Sequence, residues 1–443
     1  MSKLSLHIGS EISLQNFSFS QLIMAVKSLF DTEGIPGLVK VLVTLIEKML
    51  IRKGLECPHC KSQKLHGHGT KDRRIKTSIG EVVLSLSRLL CADCKKTFVP
   101  FNQLLDLDQY SRKSREFEKI SLETVTNQSF RRSAKNLNDT MGFSTAHTTL
   151  HRWFQRTDST NMNVNKKVDF LVADGTGFKR DKDKSGSNRG EIRILIGYSK
   201  TGEVIPFGAW TRASWKDIGK FVKSKNHPSE KIKFKPIAGT LITDGEEELV
   251  RHLKKLALSH QRCLFHMTHE LTPLLRYKDI VSKDEAFKIS DELNQLLYLD
   301  LPEADADPIK SMEDRLKIEI KLTAMKKSID DFINELRMMG YKKAKTFVEN
   351  AKAQLFTYID NWIKTGISNP KVTSLVERIM REIKRRIKRM GYKWSERGAE
   401  KMTRLILLQL SSTKHFWDNH WSEKMGTNAN IKVTFLGVTV DQV

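Results

Sequence analysis

The chain has 443 residues, 39% hydrophobic and 29% charged, a composition that fits a soluble globular protein of about three domains. Lys and Arg number 76 against 52 acidic residues, a formal charge of +24 that favours a polyanionic partner through counterion release and steering, nucleic acid first; a merely basic soluble surface is the plainer alternative. The longest apolar stretch, residues 35–50, is interrupted by Lys40 and Glu47, and the N-terminus lacks a charged start before an apolar core, so neither a membrane span nor a signal peptide is expected and the chain reads as cytoplasmic.

In residues 18–52, Phe19, Leu22, Ile23, Val26, Leu29 and Phe30 recur at helical spacing, a Gly-Ile-Pro-Gly turn follows at 34–37, and Leu38, Val41, Leu42, Leu45 and Leu50 resume the period. A helical hairpin is predicted there. From Cys57 to Phe101 polar and apolar residues alternate, most clearly over Glu81–Leu89, which predicts a small β module.

That module carries Cys57-Pro-His-Cys60 and Cys91-Ala-Asp-Cys94, enclosing residues 61–90. Two CxxC knuckles flanking strands present four thiolates to one tetrahedral Zn²⁺, a structural site that stabilises a domain too small for its own core; His59, His66 and His68 are spare ligands nearby. Of the chain's five cysteines only Cys263 stands outside the pairs, a usage that suits metal binding better than a disulfide framework. The basic run Lys71–Lys76 is placed to meet phosphates.

Helical periodicity returns over 112–157, with a turn at Met141-Gly142, a cap at Ser144 and a second helix ending in Trp153. This reads as a helix-turn-helix whose Arg131, Arg132, Lys135, His147, His151 and Arg152 would contact DNA, or as a plain structural helix pair. Between 166 and 275 the expected order is VDFLVAD, EIRILIGYS and EVIPFGAW as strands, a helix over 215–223, TLITD, a helix over EELVRHLKKLAL, RCLFH as a strand and MTHELTPLL as a helix. Residues 276–370 read as charged helices, 371–412 as further helix, and the remainder as a weakly anchored tail.

Asp174 is predicted to emerge from the end of a buried strand, with Gly175 and Gly177 leaving room for a phosphate or metal, and Asp244 repeats that arrangement ahead of a helix. Taken singly, each is as well explained as a turn or capping residue. Two strand-end carboxylates joined by a third from a helix hold two Mg²⁺ or Mn²⁺ ions about 4 Å apart for phosphodiester chemistry. Glu377 is the preferred third acid, because Arg381, Lys384 and Lys388 share its helical face opposite Val376, Ile379, Ile383 and Ile387; Glu382, Glu396 and Glu400 are its rivals. The basic stripe of Arg381, Lys384 and Lys388 would face DNA, or is a plain solvated helix face.

Over residues 165–412 the chain resembles transposases with an RNase H-like DDE core, the Mutator-like group of prokaryotic insertion-sequence transposases. The resemblance rests on VADGTGFK at 172–179, LITDGEEELVRHL at 241–253, RCLFH at 262–266 and a late Glu ahead of KRMGYKWSERGAEKMTRL. It implies metal-binding roles for Asp174, Asp244 and Glu377, and a helical insertion between the second Asp and the Glu. It also implies DNA partners (terminal inverted repeats and target DNA), a homo-oligomer assembled on DNA, and association with the nucleoid. The SNPKVTSLVER lead-in to Glu377 departs from the small-residue or Asn-rich pattern of related proteins. Cys263-Leu-Phe-His266 matches the family's Cys and His separated by two residues; one Cys and one His are an incomplete zinc set and are not assigned a metal here.

The expected organisation is α/β and multidomain. A helical segment (1–52) precedes a zinc-ribbon-like module (53–104) and a helix-turn-helix region (105–160). An RNase H-like mixed-sheet core (165–276 and 371–413) is interrupted by the helical insertion (277–370), and a tail (414–443) follows. Strand cleavage and transfer is the expected activity; a noncatalytic zinc-containing DNA-binding regulator and a structure-specific nuclease with the same core are the alternatives.

Overall fold

The computed structural model describes residues 34–52, 54–100, 111–157, 166–181, 188–226, 234–302, 308–366, 368–411, 417 and 421. The chain divides into two compact units, one of Met1–Arg156 with His420–Val443 and one running from Thr157 to Asn419. The first arm of the expected N-terminal hairpin and the 414–443 tail, Trp417 and Trp421 apart, lie outside the described residues.

In the first unit, α1 spans Ile35–Arg52. The Gly-Ile-Pro-Gly stretch therefore opens a helix rather than forming a turn: Pro36 falls in the first turn, where a missing N–H has no intrahelical partner to lose. Strands β1 (Leu65–Thr77) and β2 (Gly80–Cys91) form an antiparallel hairpin, and β3 (Thr97–Phe98) pairs with Leu89 and Leu90. Ile75, Val82, Leu84 and Leu86 alternate onto one face and pack against Val39 and Val43 of α1 and Val99. Buried Glu47 of α1 accepts from the Ser87 N–H (2.8 Å) and hydroxyl (3.0 Å), which ties helix to hairpin.

Helices α2 (Arg115–Asn127), α3 (Phe130–Met141) and α4 (His147–Arg156) complete this unit. Phe117, fully buried, meets the rings of Phe143 and Trp153 edge-on at 5.1 and 5.7 Å. Ser129 caps α3 through the Arg132 N–H, and Gly142 ends it in the left-handed region at φ 68°. The next helix starts at His147 and runs past Trp153 to Arg156. The longer turn is held by Asn138, whose Oδ1 accepts from the Thr145 N–H at 2.6 Å.

The second unit is built on a five-stranded mixed sheet: β4 (Val168–Lys179), β5 (Arg189–Tyr198), β6 (Val204–Trp210), β7 (Ala238–Thr243) and β8 (Ala257–Arg262), in the order β6-β5-β4-β7-β8. The β4–β5 and β5–β6 pairs are antiparallel, whereas β4–β7 and β7–β8 are parallel. Helices α5 (Trp215–Asn226) and α6 (Glu247–Leu253) cover one face through a core that includes Leu171, Ala173, Leu195, Phe207, Ile218 and Leu253.

The helix expected over 247–258 stops at Leu253, and the strand expected at RCLFH is Ala257–Arg262 instead. Apart from Ala257, the buried side chains of β8 are polar, so no apolar run marks it. His260 Nε2 is 2.9 Å from the Thr243 hydroxyl, and Gln261 accepts from the Tyr358 N–H at 2.8 Å while donating to the Leu355 carbonyl at 3.0 Å.

Helix α7 (Leu264–Tyr277) leads into α8 (Lys283–Leu297), α9 (Pro308–Met338), α10 (Lys342–Leu355) and α11 (Thr357–Thr365), which bury Leu271, Leu293, Ile329, Phe332, Val348 and Ile359 together. Helix α12 (Ser374–Lys384), a π turn (Arg385–Arg389) and α13 (Glu396–Leu410) end the described chain apart from Trp417 and Trp421. Among the described residues, no helix is long and apolar enough to cross a membrane.

Burial, with Lys254 and Arg262 nearby, lowers His260 to about 4, and its Nδ1 is buried without a hydrogen-bond partner. The unfolded chain takes up this proton first, so the stability present above about pH 6.5 is lost as pH falls toward 4. His260→Gln is expected to flatten the decline of the melting temperature between pH 6.5 and 4 relative to the unsubstituted chain, as followed by circular dichroism.

Candidate active site and cysteine cluster

Asp174 does not end its strand. Strand β4 continues to Lys179, with Gly175 opposite Arg193 and Gly177 opposite Glu191 of β5. What ends is the neighbour: the last parallel pair is Val172 with Ile242, β7 stops at Thr243, and Asp174 and Asp244 each lie two residues past that pair. Adjacent strands run about 4.8 Å apart and side chains alternate, so this register brings the two carboxylates to one level on one face. Burial, partly offset by Lys384, pushes Asp174 up to about 6, and the charge of Asp244 adds to the rise.

Beyond Asp244 the chain turns through Gly245 at φ 93°, a backbone conformation that favours glycine. A Cβ there would lie 0.7 Å from a terminal nitrogen of Arg262, so the guanidinium is laid directly over this glycine. Arg262 is 8% exposed, pairs with Glu270 at 3.3 Å and sits over the Phe347 ring at 5.5 Å. Asp244, Glu246, Arg251, Arg262, Glu270 and Phe347 are among the residues lining a cleft of about 620 Å³.

Cys263 caps the N-terminus of α7, with its Sγ 3.3 Å from His266 Nδ1. Burial works against the thiolate, yet hydrogen bonds from His266 and Thr373 bring the Cys263 thiol below its ordinary value. The Cys263 hydrogen bond raises His266 to about 9, with Asp244 and Glu270 contributing. Glu377, in the first turn of α12, has its Oε1 4.0 Å from His266 Nδ1 and accepts from the Thr373 hydroxyl at 2.9 Å. The charges of Asp244, His266 and Lys384 all act on Asp174, and Glu377 joins this set through His266; among the described residues, Glu377 shares ligand-distance spacing with Cys263 and His266 rather than with the two aspartates.

The rival acids are engaged elsewhere. Glu396 pairs with Arg180 and Arg212, each at 2.6 Å; Glu400 accepts from the Thr211 N–H and pairs with Arg404; Glu382 pairs with Arg385. On α12 the basic stripe divides: Lys384 faces Asp174, Arg381 is exposed, and Lys388 lies in the π turn, exposed. Arg262, His266 and Glu270 are site residues to which the sequence alone assigned no role. Their signal is their spacing, since 262, 263, 266 and 270 fall at a strand end and on successive turns of the following helix.

In the first unit Cys57, Cys60, Cys91 and Cys94 place their sulfurs within 4.8 Å of one another, close enough to hold a metal such as zinc. Sγ–Sγ distances of 3.5 Å (Cys60–Cys91) and 3.6 Å (Cys57–Cys94) approach the roughly 3.8 Å edge of a tetrahedron with bonds of about 2.3 Å. Both knuckles close alike. Lys61 and Lys95 take left-handed φ values of 62° and 58°, and their N–H groups donate to the Cys57 and Cys91 carbonyls at 2.9 and 3.0 Å. Backbone N–H groups of Cys94 and Asp93 help to lower the Cys91 thiol to about 6.

The expected DNA-contacting residues Arg131, Arg132 and Lys135 on α3 and His147, His151 and Arg152 on α4 are all exposed. Part of the basic run at 71–76 is used internally: Lys76 donates to the Ser144 carbonyl and to the Thr145 hydroxyl, Arg73 donates to the Ser111 carbonyl at 3.1 Å, and Lys71 stays exposed.

No protein-family model matches the chain, and no curated protein matches it.

A Cys91→Ser chain is expected to hold less zinc than the unsubstituted chain and to lose order in the β1–β2 hairpin. Zinc released to a colorimetric chelator and far-ultraviolet circular dichroism check this; unchanged zinc content in Cys91→Ser would remove the cluster as a metal site.

Proposed function

We propose that the chain is a DDE-type DNA transposase of the Mutator-like group, with an RNase H-like core in the second unit and a zinc-stabilised, DNA-binding first unit. One observation carries it: the β4–β7 register sets Asp174 and Asp244 side by side, and α12 brings Glu377 into the same neighbourhood. The order strand-Asp, two strands, helix, strand-Asp and distant helical Glu supports it further, as does the largely helical stretch between the second Asp and the Glu.

The donors are carboxylate oxygens, which suit a hard cation such as Mg²⁺ or Mn²⁺. Held by Asp174, Asp244 and Glu377, such ions would activate a water or 3′-hydroxyl and stabilise the leaving oxygen of an in-line displacement. The chain supplies the rest. Lys384 beside Asp174 and Arg262 beside Asp244 hold positive charge where phosphate oxygens enter, and Thr373 orients the Glu377 carboxylate. Arg131, Arg132, Lys135, His147 and Arg152 give the first unit an exposed basic surface for the element ends, and exposed Arg381 on α12 and Lys388 in the π turn add positive charge in the second unit.

The deciding measurement is Mg²⁺- or Mn²⁺-dependent strand transfer with the element's own ends. Asp174→Asn, Asp244→Asn and Glu377→Gln are each expected to reduce it by about 100-fold or more, since each removes a metal-binding charge. Full activity in Asp174→Asn sinks the mechanism. Cleavage without joining by the unsubstituted chain points to a nuclease, and binding without cleavage to a regulator.

Charge removal by Arg131→Ala, Arg132→Ala or Arg152→Ala is expected to weaken binding to an element-end duplex and to lower the slope of log K against log salt by about one for each phosphate left unneutralised. Fluorescence anisotropy across a salt series reads both; an unchanged slope in the triple variant makes α3 and α4 a structural pair.

A further inference from the structure

Cys263, His266 and Glu377 converge from two elements that are distant in sequence. One donor atom of each lies within 4.8 Å of the other two. Cys263 Sγ is 3.3 Å from His266 Nδ1, and Glu377 Oε1 is 4.0 Å from that nitrogen. The Thr373 hydroxyl lies 3.2 Å from the sulfur and 3.5 Å from the nitrogen, and it donates to Glu377 Oε1 at 2.9 Å. The Thr373 N–H also points at Cys263 Sγ at 3.4 Å, and the Leu264 N–H donates to the Lys371 carbonyl at 3.0 Å, which fixes the start of α7 against the approach to α12.

Ligand bonds of about 2.0–2.3 Å in a tetrahedral site put neighbouring donor atoms roughly 3.4–3.8 Å apart, so the Cys263–His266 pair at 3.3 Å is already at ligand spacing and a shift of up to about 1 Å in the Glu377 carboxylate brings all three onto one ion. The donor chemistry selects the metal. A thiolate and an imidazole favour Zn²⁺ over Mg²⁺, which takes oxygen ligands and dehydrates reluctantly. The thiolate gains further from its place at a helix N-terminus. Three protein ligands leave a fourth position for water or a substrate oxygen.

We propose that Cys263, His266 and Glu377 form a second transition-metal site, selective for Zn²⁺ over Mg²⁺ and different in ligand type from the four-cysteine cluster. It shares Glu377 with the carboxylate set, so an ion there draws that side chain toward α7. The Thr373 hydroxyl orients the shared carboxylate in either use.

The test is zinc per full-length chain, measured by mass spectrometry after dialysis against metal-free buffer containing excess Mg²⁺. About two ions per chain are expected for the unsubstituted protein and about one for Cys263→Ser and for His266→Asn; about one is also expected for Cys91→Ser, which keeps this site. Thr373→Val is expected to weaken the second zinc by about 10- to 100-fold in a chelator competition, an effect that removing an orienting partner produces. About one zinc in the unsubstituted chain, about two retained in both Cys263→Ser and His266→Asn, or loss of the second ion to Mg²⁺ overturns the proposal. Circular dichroism identifies any variant that fails to fold, and Cys263→Ser and His266→Asn then substitute for one another. No DNA enters the measurement, so absence of strand transfer leaves its outcome unaffected.

Discussion

The parallel pairing of β4 with β7 is the constraint on which the rest of the second unit depends. Side chains alternate along a strand, so a slip of one residue in the Val172–Ile242 register would send Asp174 and Asp244 to opposite faces of the sheet. The register is protected from both sides. Leu171, Ala173 and Leu241 are locked beneath α5 and α6, and β4 keeps its antiparallel partner β5 after β7 has ended. That second pairing supports Asp174 from beyond the point where the parallel ladder stops.

Around this register the chain gathers acids and then answers them with its own cations. The charge of Lys384 on α12 acts on Asp174, Arg262 at the end of β8 pairs with Glu270 and acts on Asp244, and His266 lies 4.0 Å from Glu377 and feels the charge of Asp244. Carboxylates partly withdrawn from water would otherwise repel one another and take up protons, as the raised value of Asp174 shows. The cations come from elements that the sheet end itself positions, so charge balance and backbone geometry are set by the same contacts.

Much of this was legible beforehand because it rests on pattern. Apolar runs marked β4 to β7, the CxxC pairs marked the cysteine cluster, and a helical period marked α12 with Glu377 beside basic residues. What escaped detection lacks apolar signature. Strand β8 buries His260, Gln261 and Arg262, which read as surface residues until their partners on β7, α10 and α11 are known. Arg262 and Glu270 have roles only through the turn at Gly245. The internal use of Lys76 and Arg73 was equally hidden, since a lysine that bonds a carbonyl and a lysine that awaits a phosphate are the same letter. Sequence spacing also could not show that Lys384 turns inward while Arg381 turns outward, because both fit one face of an unbroken helix.

The π turn at Arg385–Arg389 sets the phase of everything after it. One helical residue corresponds to a rotation of about 100°, and a π turn absorbs one residue beyond the α count. With that residue in place, Ile383, Arg386 and Ile387 all face inward and Arg386 lies under the Trp394 ring at 4.8 Å. Downstream, Trp394 bonds back to Lys179 at the end of β4, and Glu396 receives Arg180 and Arg212. Glu377 and this clasp therefore lie on opposite sides of a rotational joint. A single-residue deletion between 385 and 389 would leave every acid in the chain and still turn the clasp away from the strand that carries Asp174.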